Sequence, residues 1–134
     1  DFFSAQREIG IVYTSKRQYA QAIVEFRRAL KLSQDDAFVL AHLAHAYALS
    51  GQRSEAARIL DTLTERAARQ YVSPYTFAVV WAGLGDKDRA FAWLSKAYED
   101  RSEWLSLAKA EPCLDSLRSD PRFQDLLRRM KLAP

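Results

Sequence analysis

The chain has one cysteine, four glycines and four prolines among its 134 residues, and each scarcity excludes something. A lone Cys113 cannot build an intramolecular disulfide framework, and it fits a reducing, cytoplasmic compartment. Scarce glycine and proline leave little room for long loops, and no Gly-rich phosphate loop, HExxH, CxxC or GxSxG occurs. With no catalytic constellation, neither an enzyme nor a cofactor is expected. No apolar run approaches the roughly 20 residues of a membrane helix, and no signal-peptide pattern opens the chain, so no membrane contact is expected. Charge of one sign is never concentrated: 20 Lys and Arg alternate with 17 Asp and Glu for a net charge of +3. Nucleic-acid binders gather basic residues on one face. Here the densest basic group, Arg128, Arg129 and Lys131, reads as a solvated face suited to a helix C-terminus. Direct nucleic-acid contact is therefore not expected. The sequence starts at Asp1, without Met and already in helical periodicity, which suggests a piece of a longer protein.

What is present is a repeat. Apolar residues make up 49% of the chain, which argues against disorder, and they recur with helical spacing. Tyr13, Tyr47 and Trp81 are each 34 residues apart. The same interval relates Ala22, Ala56 and Ala90; Phe26, Leu60 and Leu94; Ile9, Leu43 and Phe77; and Gly10, Ala44 and Ala78. Gly51 and Gly85 hold another slot, whose first copy is Arg17. Within a copy, a large, a small and an aromatic residue fall on one face of a first helix. A small and a bulky residue, four apart, then share a face of a second. The small residue lets two backbones approach and the large ones fill the space beside it. One such hairpin leaves an apolar face wet, and stacking the next one covers it.

This register resembles the tetratricopeptide repeat, with its pattern W-x2-L-G-x2-Y, then A-x3-F, then P. The likeness spans residues 3 to about 104 in three copies, at about 3–36, 37–70 and 71–104. It departs at the Trp slot, which holds Gln6, Leu40 and Pro74, and at the closing Pro slot, which holds Gln34, Ala68 and Ser102. The resemblance implies an all-α solenoid of three helical hairpins. The spacing predicts helices at about 3–16, 20–32, 37–50, 53–69, 74–84 and 87–99. Asp35 or Asp36 caps the third, and Ser73 caps the fifth with Pro74 in its first position.

Residues 103–134 leave the repeat and read as C-terminal capping helices. Trp104, Leu105 and Leu107 start a short helix that Pro112 ends, and a turn anchored by Leu114 and Leu117 follows. Asp120 then caps a last helix with Pro121 in its first position. Phe123, Leu126, Leu127 and Met130 form its apolar stripe, opposite Arg122, Asp125, Arg128 and Arg129. It serves either as a packed cap, which a solenoid end requires, or as a docking helix. The tail from Leu117 to Phe123 also resembles the ending of bacterial regulators with C-terminal tetratricopeptide arrays, which implies a signalling protein.

In that family the first helices of successive repeats line a concave groove for a protein or peptide partner. The resemblance places Arg7, Ile11, Phe38, Ala41, His45, Ala48, Tyr75, Val79 and Ala82 there. The Lys and Asn of the family's two-carboxylate clamp are missing, so an apolar segment such as an amphipathic helix suits this wall better. The opposite reading is that neighbouring copies, the C-terminal extension or a second subunit already cover it. A homodimer through groove and C-terminal helix, or a sensor for a small apolar ligand, remain as alternatives. His42 and His45 are three apart, but two imidazoles without a third ligand make a poor zinc site, and Cys113 lies in another segment. No metal is expected, and both histidines read as surface or groove residues. Cys113, between Pro112 and Leu114, reads as a small buried thiol.

Overall fold

The computed structural model describes residues 2–100 and 111–130. The helix expected around Trp104, Leu105 and Leu107 lies outside the described residues. Six α-helices run in order: α1 (Phe2–Ser15), α2 (Tyr19–Ser33), α3 (Ala37–Leu49), α4 (Arg53–Ala67), α5 (Pro74–Leu84) and α6 (Lys87–Glu99). A short 3₁₀ helix, Pro112–Leu117, and a last α-helix, α7 (Pro121–Arg129), follow. The fold is an α-solenoid of helical hairpins closed by a C-terminal helix. Within each hairpin the two helices pack on one another; α3 lies beside α2 and α5, and α5 also beside α4. The first helices make one layer and the second helices the other.

The turns explain why the 34-residue register works. In all three hairpins the aromatic slot ends the first helix by accepting an amide from beyond the turn. Gln18 N–H donates to the Tyr13 carbonyl at 2.9 Å, Gln52 to Tyr47 at 2.8 Å and Asp86 to Trp81 at 3.1 Å. Four residues on, the amides of Ala22, Ala56 and Ala90 donate to Gln18, Gln52 and Asp86, starting the second helix. These alanines have no exposed surface, because the facing helix crosses at their level. The residue just before the second helix's N-cap turns left-handed. Gly51 (φ 89°) and Gly85 (φ 82°) do so without strain, and Arg17 (φ 61°) does the same with a side chain.

Caps fix the other boundaries. Asp36 accepts from the Val39 amide, Ser73 from Tyr75, Asp86 from Arg89 and Asp120 from Arg122. Pro74 and Pro121 each occupy the first turn, where a missing N–H costs nothing. The stripe of α7 is a packed one: Phe123, Leu126 and Leu127 are buried, and α7 lies against α6. Arg122 stacks over Phe91 and pairs with Asp88, while the Tyr98 hydroxyl donates to the Arg129 carbonyl at 3.1 Å. These contacts pin the last helix to the third hairpin.

Candidate functional site

The first-helix layer holds two segments with no ionisable side chain except histidine and tyrosine. Helix α3 reads AFVLAHLAHAYAL and α5 reads PYTFAVVWAGL. In α3 every residue from Phe38 to Ala48 is buried. On the face away from the second helices the 3₁₀ segment packs against α1 and α5, and Glu111, its N-terminal cap, reaches α3. Leu114 and Leu117, its apolar anchors, have no exposed surface.

The sequence left two readings of Arg7, Ile11, Phe38, Ala41, His45, Ala48, Tyr75, Val79 and Ala82: a groove for a partner, or a wall already covered by neighbouring copies, the C-terminal extension or a second subunit. Arg7 and Ile11 are half-buried, and Arg7 stacks over the Phe38 ring at 5.5 Å. Phe38, Ala41, His45, Ala48, Tyr75, Val79 and Ala82 are buried. Those seven positions do not face solvent, and the chain's own residues 111–117 pack against the same layer, on α1, α5 and His42 of α3. The histidines also differ from expectation: His42 is 1% exposed and His45 3%.

The buried polar groups of this layer are not all satisfied alike. The Nδ1–H of His45 donates to the Val79 carbonyl at 2.9 Å, one repeat ahead. Burial pulls the His45 imidazole down to about 4, with that hydrogen bond resisting and His42 adding to the fall. Gly83 is what lets α5 come so close, since a Cβ there would stand 2.8 Å from the His45 Cα. The Tyr75 ring stacks on Phe38, but its hydroxyl has no hydrogen-bond partner among the described residues. Burial pushes its phenol far up, and Glu111 adds to that.

The structure also assembles a cluster that the sequence kept apart. His42 Nδ1–H donates to the Phe38 carbonyl at 3.0 Å, so Nε2 faces Glu111, with Oε1 at 3.5 Å. Glu111 Oε1 accepts from the Cys113 amide at 3.4 Å. The Arg118 guanidinium donates to the Glu111 carbonyl at 2.6 Å and tightens the turn. Burial pushes the Glu111 carboxyl up, yet hydrogen bonds from His42 and Cys113 outweigh it and hold the carboxyl below its usual range. The Cys113 thiol is pushed well up by burial and by Glu111. The thiol is buried, as its neighbours implied, but it is not isolated. Glu111 escaped the sequence reading because nothing in its local pattern links it to a helix seventy residues away. A cavity of about 560 Å³ adjoins the cluster, lined by Thr14, Tyr19, His45 and Ala82 on one side and by Cys113 and Asp115 on the other.

No curated protein and no solved structure gave a significant match to the chain. The family model described as tetratricopeptide repeat matches residues 13–73, from the aromatic slot of the first hairpin to the cap of α5. That fold is a non-catalytic scaffold whose repeats generally mediate protein–protein interaction, and no described helix is long and apolar enough to cross a membrane. Together with the repeat register and the helical hairpins, this match identifies residues 13–73 as tetratricopeptide-repeat sequence.

Proposed function

We propose that this chain is a protein-interaction module whose first-helix layer binds a short acidic and apolar segment, and that residues 111–117 hold that seat until a partner takes it. The observation that carries the reading is the seat itself. A stretch from outside the repeats packs on α1 and α5, and its Glu111 meets His42 on α3. The occupant displays the chemistry the wall accepts: a carboxylate for His42 and two leucines for the apolar surface. Three domain units fit this use, repeats at about 3–36, 37–70 and 71–104 with residues 103–134 as cap. The wall residues are Arg7, Ile11, Phe38, Ala41, His45, Tyr75 and Val79. A place in a bacterial, cytoplasmic signalling protein fits the resemblance of the tail. The homodimer reading loses support, since the apolar stripe of α7 is spent on α6.

The test uses a labelled peptide of residues 111–120 and the full chain. Unmodified protein binds it weakly, because the tethered copy competes at high effective concentration. The double variant Leu114→Ala and Leu117→Ala weakens the tethered copy and binds the peptide at least about tenfold more tightly. If neither protein binds the peptide while both remain folded, the wall is only core and the reading fails.

A further inference from the structure

We propose that His42, Glu111 and Cys113 form a binding site for one transition-metal ion of the zinc class, which clips residues 111–113 onto α3. Their ligand atoms lie within 4.8 Å of one another, and all three residues are buried. A tetrahedral zinc ion holds nitrogen and oxygen ligands about 3.3 Å apart, and either of them about 3.6 Å from sulfur. The Nε2 to Oε1 separation of 3.5 Å is within about 0.2 Å of that value. It is long for a hydrogen bond but right for two ligands of one ion. The sulfur needs to close by at most about 1.2 Å.

Orientation supports the same reading. His42 spends its Nδ1–H on the Phe38 carbonyl at 3.0 Å, which fixes the ring and leaves Nε2 facing Glu111. A metal ion can take the place of the single proton shared across this Nε2 to Oε1 contact. The donor set chooses the ion: thiolate with imidazole and carboxylate suits zinc and its neighbours, not magnesium or calcium. The three ligands leave a fourth position for water, and Cys113 is among the residues that line the adjoining cavity. The site depends only on the seating of residues 111–113 and is independent of whether an external partner ever displaces them.

The experiment titrates the purified, metal-free full chain with Co²⁺ and with Zn²⁺. One equivalent of Co²⁺ saturates the protein and gives a sulfur-to-cobalt charge-transfer band. Cys113→Ser abolishes the band, and His42→Gln or Glu111→Gln weakens Zn²⁺ binding at least about a hundredfold, the upper end of what losing a mere outer-shell partner costs. X-ray absorption of the zinc-loaded wild type shows one sulfur and one imidazole among its ligands, which decides the matter even if a variant misfolds. A folded wild type without the charge-transfer band overturns the proposal. So does a zinc spectrum without imidazole, or a band that survives unchanged in a folded His42→Gln.

Discussion

Arg17 takes a left-handed backbone, φ 61°, where the later copies use Gly51 and Gly85. A side chain in that conformation costs on the order of 1–2 kcal/mol, and glycine gives some of it back through unfolded-state entropy. Arg17→Gly therefore raises stability by about 1 kcal/mol, read as an upward shift of the urea midpoint at unchanged slope. The side chain is exposed, so nothing is lost with it. His45 gives a pH dependence whose sign follows from its shift. Its folded value is about 4 against an ordinary 6.5, so between those values the unfolded chain binds the extra proton. Stability is fully present above 6.5 and is lost as pH falls through 4, by up to about 3 kcal/mol. Glu111, also held low, pushes the same way. Urea unfolding of metal-free protein at pH 7 and pH 5 checks this, and His45→Gln flattens the loss. The slot of Arg17 was readable from the 34-residue interval. The burial of His45 was not, because it comes from a helix one repeat ahead.

At the scale of elements, the 3₁₀ segment is held by few residues, and each matters. Leu114 and Leu117 have no exposed surface, so Leu114→Ala costs about 2–5 kcal/mol, the range for a large-to-small change in a core. Thermal or urea unfolding reads the loss, while helical circular dichroism of the folded variant stays near wild type because the substitution lies outside the repeat helices. The expected helices match the structure closely, and α5 and α6 begin and end where they were placed, at Pro74–Leu84 and Lys87–Glu99. Caps and prolines made those ends legible. One element-level signal was available and pointed the other way from an open groove. A helix with no charged residue on any face, as α3 and α5 are, is one that is covered all round.

For the whole molecule, the stack itself sets exposure. Ile9 is 44% exposed, whereas Leu43 and Phe77, in the same slot of later hairpins, are 5% and 3%. The preceding hairpin covers the later two and nothing described covers the first. Ile9→Ala therefore costs under about 1 kcal/mol while Leu43→Ala costs about 2–4, a contrast that paired urea titrations resolve. Repeat arrays usually unfold by neighbour interactions alone. Here the 3₁₀ segment touches α1 and α5 together and reaches α3, tying the first hairpin to the third. Native-state hydrogen exchange should show α1, α3 and α5 opening as one unit in the wild type. With Leu114→Ala, α1 separates and exchanges faster than α5.

By itself the sequence determined the hairpins, their register and their caps. Helix periodicity, small residues at crossings and left-handed turns are local patterns repeated every 34 residues. Tertiary structure alone decided what lies on the first-helix layer and which polar groups meet there. His42, Glu111 and Cys113 become neighbours only when a segment from beyond the repeats folds back over α3, a contact 69 residues apart. No local pattern encodes such a return, because its driving force is the apolar area of two leucines covering a wall assembled from three separate hairpins.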